Sequence, residues 1–274
     1  MTDFKRIGLN RIASPEMSLE DYLQFAARLG FGGIELRNDL PGGLIADALD
    51  GRRVKGLADR AGIRILSINA LQRFNDKVSM QQVLVDNLTS MLEYGSSIGA
   101  EAVVLCPVND AEEARAHDQV MHDTLRALET FGPFFRKFGL HGFIEPLGFP
   151  ACSLRFKRDA IAAIDESGFS DIFAVVHDTF HHHLSGEKEF YPDRTGLVHL
   201  SGVTTDKAPS QMTDGDRVLV TGEDLVGNRD QVRTLVDGGY TGSFSYEPFS
   251  ATIQRLDAER LRDGLSASVA YLFS

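Results

Sequence analysis

Four short stretches in the second half of the chain decide its reading: HGFIEPL (141–147), FAVVHDTFH (173–181), GLVHLSG (196–202) and SFSYEPF (243–249). Each is an apolar run that stops at a side chain able to bind a divalent cation, namely Glu145, Asp178, His199 and Glu247. Apolar runs of this length, bounded by Pro, Gly or polar turn residues, read as strands. Consecutive parallel strands that close into a barrel open their C-terminal ends at one mouth, and there the four groups would meet.

The same alternation runs outward from these stretches. Ile7–Asn10, Gly33–Arg37, Ile63–Asn69 and Ala102–Cys106 read as strands one to four, and Leu140–Glu145, Phe173–Asp178, Leu197–Leu200 and Ser243–Glu247 as strands five to eight. Between them lie helical stripes. Ser18 is an N-cap for Leu19, Leu23, Ala26, Ala27 and Leu29, with Asp21 where a capping box has Glu, and Gly30 is the stop. Further helices are expected over Ala48–Ala61, Ser79–Ile98 and Lys157–Glu166, around Val232, Leu235 and Val236, and over Ile253–Phe273. A long helix over Ala111–Phe138 is expected to bend or divide at Gly132-Pro133. Ser201–Asn228 reads as a long polar loop. Eight strands interleaved with helices predict an α/β protein, a (β/α)8 barrel in preference to an open doubly wound sheet. No GxGxxG follows the first strand and no linker of biased composition divides the chain, so one domain over 1–274 is expected.

Charge narrows the partners. The 28 Lys and Arg against 39 Asp and Glu give a formal charge of -11, a field that repels nucleic acid. Arg52-Arg53-Lys55 and Arg155-Lys157-Arg158 read as solvated helix faces. The two cysteines, Cys106 and Cys152, form no CxxC pair, so reduced thiols are expected. The start MTDFKRIGLNRI lacks the apolar stretch of a signal peptide, and no segment approaches the roughly 20 apolar residues of a membrane span. These features predict a cytoplasmic protein with neither nucleic acid nor membrane as a partner.

Three carboxylates and one imidazole suit a hard or borderline divalent ion: manganese first, with cobalt, zinc or magnesium as alternatives. Carboxylates brought together raise one another's pKa unless a cation offsets them. On strands five and eight, Glu145 and Glu247 face each other across the mouth. A substrate between them can lose a proton to one and regain it from the other, while the metal polarises a carbonyl and stabilises the enediolate. Alternation allows only one of His177 and Asp178 to point at the mouth. His181 follows Asp178 with DxxH spacing and is a candidate for metal or substrate, whereas His182 and His183 read as helix-start or surface residues. Arg217, in the loop with Asp214 and Asp216, is placed to bind substrate oxygens and to offset the acidic mouth. Asn10, Glu35, Arg37 and Asn69 end strands one to three and are candidates for substrate hydroxyls. Phe74, Phe149, Phe180 and Phe249 follow strand ends and are candidates for the pocket wall. A blander reading exists for each residue alone: a solvated strand end, a hydrogen-bonded core histidine, a surface ion pair. It does not explain four such groups on four consecutive strands.

At these residues the chain resembles the xylose-isomerase-like TIM-barrel superfamily, over essentially its full length. The resemblance implies that Glu145 in FIEP, Asp178 in HDTFH, His199 in VHLSG and Glu247 in YEPF hold one divalent ion. It also makes the two glutamates the proton-transfer pair and places His181 and Arg217 at the substrate. The opening GLNRIASPEMSLEDYLQFAARLGFGGIELRND and the close GYTGSFSYEPF look most like bacterial inosose isomerases, which interconvert 2-keto-myo-inositol and 1-keto-D-chiro-inositol. The resemblance therefore implies a small keto-polyol or ketose as partner and, as in similar epimerases, a homodimer. A ketose 3-epimerase uses the same proton abstraction and is the main alternative; a sugar-binding barrel without catalysis is another. An endonuclease IV reading needs further histidines on strands three and four, where this chain has Asn69 and Cys106.

Overall fold

Parallel pairing starts at β1 (Ile7–Asn10), which lies between β2 (Gly33–Arg37) and the last strand, β8 (Ser243–Tyr246), so the sheet closes on itself. The intervening strands follow in chain order: β3 (Arg64–Leu71), β4 (Ala100–Leu105), β5 (His141–Ile144), β6 (Phe173–Asp178) and β7 (Thr195–Leu200). The result is a (β/α)8 barrel. It is seen in a computed structural model that describes residues 3–40, 42, 44–77 and 80–273.

The helices are α1 (Leu19–Arg28), α2 (Gly51–Ala61), α3 (Gln81–Ile98), α4 (His117–Phe138), α5 (Lys157–Ser167), α6 (Thr179–Ser185), α7 (Asn228–Asp237), α8 (Ala251–Gln254) and α9 (Ala258–Leu272). None among the described residues is long and apolar enough to cross a membrane. Ser18 caps α1 as its sequence predicts, accepting from the Asp21 N–H at 3.2 Å. The expected start of α3 at Ser79 lies outside the described residues.

Alternation along the strands sets what fills the barrel. Val104, Phe143, Val176 and Leu197 each precede a mouth residue by two positions (Cys106, Glu145, Asp178 and His199), so they share its inward direction one layer lower. They pack with Leu66 as an apolar cluster separate from the main core. Leu66 fills the side of the barrel that β1 and β2 leave open: a Cβ on Gly8 or Gly33 would sit 2.6 Å from its side chain. The mouth residues thus stand on a dry, packed floor.

Several expectations need correction. α4 runs unbroken through Gly132-Pro133. Pro133 is on the exposed side, whereas Phe131 and Phe135 are buried and Gly132 lies against the Phe169 ring, where a Cβ would be 2.4 Å away. That packing outweighs the one backbone hydrogen bond a proline removes. The C-terminal helix is two helices, because the Asp257 side chain accepts from the Arg260 N–H at 2.8 Å and starts α9 afresh. His182 and His183 lie near the start of a short helix, α6, as one of their two readings has it, but His182 is buried and not at the surface. Lys157, read as part of a solvated face, is buried at the start of α5 with Nζ 2.7 Å from His177 Nδ1.

Candidate metal centre

Glu145 and Glu247 each stand one residue past a strand, yet remain tied to the sheet. The Glu145 N–H donates to the Leu105 carbonyl at 3.0 Å and the Glu247 N–H to the Leu200 carbonyl at 2.9 Å. Pro146 and Pro248 then end the ladder. Asp178 and His199 are register partners on β6 and β7. His177 points outward, as alternation requires, where it meets Lys157 and Gln231.

One atom from each of Glu145, Asp178, His199 and Glu247 lies within 4.8 Å of the others, and all four residues are buried. His199 sits at the middle. Its Nδ1 is 2.8 Å from Glu145 Oε1 and 3.3 Å from Glu247 Oε2. Its Nε2 is 3.1 Å from Glu35 Oε2 on the opposite side. A proton on Nε2 donated to Glu35 leaves the Nδ1 lone pair facing the three carboxylates, the tautomer a metal ligand needs. Glu35 is itself fixed, since Oε2 accepts from Ser67 Oγ at 2.6 Å and from Asn69 Nδ2 at 2.7 Å.

Two buried guanidiniums frame the cluster. Arg217 Nη2 lies 2.6 Å from Asp178 Oδ2 and 2.8 Å from Glu247 Oε2, and its Nε donates to Ser201 Oγ at 2.9 Å. Its loop is pinned by reciprocal 2.8 Å backbone bonds between Gly202 and Val218. Arg37 Nη1 reaches Glu247 Oε1 at 2.8 Å while its other nitrogens grip Asp39. Phe249 packs against both, 5.0 Å from Arg37 and 4.6 Å from Arg217. Four buried carboxylates, Glu35, Glu145, Asp178 and Glu247, face these two guanidiniums. Arg37 and Arg217 also pair with Asp39 and Asp214, so with His199 neutral the site keeps an excess of negative charge that a divalent cation would offset.

Without such a cation the burden falls on His199. Burial opposes its charge, but Glu247, Glu35 and Glu145 outweigh burial and hold its pKa well above the ordinary imidazole value. Burial pushes Asp178 up against the pull of Arg217. Burial also acts on Glu247, yet His199 and Arg217 draw it well below the usual carboxylate range. An imidazolium therefore takes the place of a cation in balancing the site. Donor types, spacing and charge all fit a metal ion.

Above the cluster opens a cavity of about 400 Å³, to which Glu145, Glu247, Asn69, His181 and Arg217 contribute. His181 is buried and its Nδ1 has no hydrogen-bond partner. Burial and the nearby Arg217 push its pKa down to about 4, so the ring is neutral at neutral pH. Among the described residues, Asn10 and Glu35 do not line this cavity. They are fully buried beneath the cluster, where Asn10 Nδ2 donates to Glu247 Oε1 at 3.1 Å. In this structure both hold side chains of the cluster: Asn10 holds Glu247, and Glu35 holds His199. Of the four phenylalanines, Phe149 and Phe249 form part of the wall; Phe180 lies behind Arg217, 5.2 Å away, and Phe74 is in the core. Cys106, Gln72, Arg73, Asn109 and Asp39 also line the cavity. Cys106 ends the expected fourth strand but is not singled out as a site residue in the sequence, and no sequence signal marks the other four.

Fold and donor set together describe a barrel of one known class, with a cluster at its mouth that could hold a metal ion. The profile of the xylose isomerase-like TIM barrel family matches residues 23–271, and the chain belongs to that family. A xylose isomerase domain-containing protein from Salmonella typhimurium is 33% identical, with TM-score 0.92 and 100% of each chain covered. An IolI protein with a bound zinc atom superposes with TM-score 0.88 at 20% identity, covering 97% of each chain. A D-psicose 3-epimerase from Clostridium cellulolyticum, solved with D-tagatose, gives TM-score 0.77 at 14% identity over 98% of each chain. No functionally curated protein matches the chain.

Proposed function

We propose that this protein is a divalent-metal-dependent isomerase that interconverts keto-inositols, 2-keto-myo-inositol and 1-keto-D-chiro-inositol, through an enediolate. The observation that carries the reading is the convergence of Glu145, Asp178, His199 and Glu247, of which Glu145 and Glu247 open onto a cavity. Manganese is the first choice for the ion, and the zinc in the IolI structure makes zinc the next. When bound, the ion supplies a Lewis acid for the substrate carbonyl.

The residues of the chain do the rest. One of Glu145 and Glu247 takes the proton from the carbon beside the ketone, and the electron pair moves to give the enediolate. Delivery of a proton to the former carbonyl carbon, with the hydroxyl proton of the neighbouring oxygen passing to the former carbonyl oxygen, shifts the ketone by one carbon. Arg217 orients substrate oxygens and balances the negative charge that develops. His181, neutral and unpartnered, offers Nδ1 to a hydroxyl, and Asn69 offers its amide from the other side. Asp178 and His199 hold the ion, while Glu35 and Asn10 hold the ligands.

Ketose 3-epimerisation is the second reading, supported by His181, whose DTFH segment resembles that of epimerases and whose ring lies in the cavity. In that reaction the proton returns to the carbon it left, on the opposite face. Deuterated water separates the two. Manganese-loaded protein given 2-keto-myo-inositol is expected to put deuterium beside the carbonyl of the product inosose, as read by NMR. Turnover of D-psicose or D-tagatose alone would favour the epimerase, and no exchange with any of them would favour a sugar-binding barrel. Full activity in Glu247→Gln would remove the proton-transfer assignment.

A further inference from the structure

Among the described residues, the buried imidazoles that keep a ring nitrogen without a hydrogen-bond partner are consecutive: His181 and His182, each through Nδ1. Both rings line a small cavity of about 10 Å³, room for about one water. It runs along one face of α6, where Asp178, His181, His182 and Ser185 recur at helical spacing, and it faces Lys157 at the start of α5. Lys157 is placed to orient a water there. His177 Nε2 donates to Gln231 Oε1 at 2.8 Å, because the Gln231 amide nitrogen is committed to the Thr179 and Val226 carbonyls. His177 Nδ1 therefore accepts from Lys157 Nζ, and the Phe190 carbonyl at 3.3 Å takes a second hydrogen. Among the described residues, the third hydrogen of the ammonium is left for the cavity. A water held there also gives His182 Nδ1 its missing partner.

The same two rings join three spaces in line. His181 lines the small cavity and also the 400 Å³ cavity that it shares with Glu145 and Glu247. His182 lines the small cavity and a cleft of about 330 Å³. That cleft meets solvent, since Gly186, Lys188, Asp230 and Thr234 on its wall are exposed. We propose that His181, one water in the small cavity and His182 form a proton path between the substrate cavity and this cleft. A substrate seated over the two glutamates stands between them and the mouth, so a proton taken by a glutamate otherwise has only the substrate to return to. Outward, a proton enters one His181 nitrogen from the substrate side while the other nitrogen passes one to the water. The water passes one through His182 to the cleft. A solvent proton travelling back over the same atoms restores both rings, so neither keeps a charge and one hydrogen is exchanged for another. This path rests on the isomerase or epimerase reading of the centre.

The test runs manganese-loaded protein in deuterated water with 2-keto-myo-inositol and with D-psicose, stopped at low conversion. Deuterium gained by the recovered substrate, divided by product formed, compares exchange with turnover. His182→Phe keeps a ring against His177 and Phe190 and removes both nitrogens. It is expected to lower that ratio at least about tenfold, below the roughly 10²–10⁴-fold that a positioned proton carrier contributes. A packing defect slows exchange and turnover alike and does not move the ratio. Turnover without exchange in the unaltered protein, or an unchanged ratio in His182→Phe, overturns the path and leaves the proposed chemistry standing. Absence of both turnover and exchange in the unaltered protein overturns the chemistry and the path with it. A second measurement depends on neither the variant nor turnover. A high-resolution crystal structure of the unaltered protein is expected to show one ordered water within hydrogen-bond distance of His182 Nδ1 and Lys157 Nζ, and a cavity without it overturns the path.

Discussion

Replacing Glu35 with glutamine changes the charge and the donor pattern at one fully buried position, and it is expected to weaken metal binding without touching a ligand. Oε2 of Glu35 accepts from Ser67 Oγ at 2.6 Å and Asn69 Nδ2 at 2.7 Å, and faces His199 Nε2 at 3.1 Å. A glutamine has one oxygen and one NH2 group, so whichever way the amide turns, its NH2 meets a neighbour that is also a donor. Ser67 can rotate its hydroxyl; His199 has no such freedom while Nδ1 serves the metal. The lost contact is a hydrogen bond to a charged group in a dry site, worth about 1.5–3 kcal/mol. Outer partners of metal-binding histidines typically contribute 10–100-fold in affinity, about 1.4–2.7 kcal/mol, and the two ranges agree. Calorimetric titration of both proteins with manganese reads the difference directly. A Glu35→Gln protein that folds normally and binds manganese as tightly as wild type would refute this account of how His199 is held.

Further outcomes follow from the same geometry. Metal uptake near neutral pH is expected to release about one proton, because His199 is protonated when no cation is present and must give that proton up to become a ligand. Calorimetry in two buffers of different ionisation enthalpy measures the release, and affinity is expected to rise with pH until His199 is deprotonated. Lys157, lowered to about 7 by burial, binds fewer protons folded than unfolded between about pH 7 and 10. Stability is therefore expected to climb across that window, by a few kcal/mol at most, and melting of Lys157→Met is expected to lack that slope. Leu66→Ala is expected to cost about 2–5 kcal/mol, since Gly8 and Gly33 offer no side chain to refill the floor beneath the centre. Chemical denaturation checks it; a loss below about 1 kcal/mol would mean the floor repacks.

The four converging side chains were legible because their strands carry plain signals of which face is inward and where the strand ends. Val176 before Asp178 and Leu197 before His199 fix the inward face by alternation, and Pro146 and Pro248 mark where the ladder stops beyond the glutamates. The helices with a clear apolar stripe and a capping residue, such as α1 behind Ser18, were equally plain. What stayed hidden depends on partners distant along the chain. The histidines of α6 look polar in sequence, yet His182 packs against Phe190 with ring centroids 4.6 Å apart. Lys157 resembles its charged neighbours until His177 arrives from another strand. Asp257 restarts a helix that an apolar pattern alone carries straight through. Arg73 adopts a left-handed backbone that no residue type near it announces. Asn10 and Glu35 share the strand-end position of the ligands, and only the packed interior shows that they lie under the site, outside the cavity.

The most direct test of the whole account is a crystal of the manganese-loaded protein measured at the manganese absorption edge. The account predicts one strong anomalous peak per chain within bonding distance of Glu145, Asp178, His199 and Glu247. A peak elsewhere, or none at that centre under saturating manganese, would contradict it.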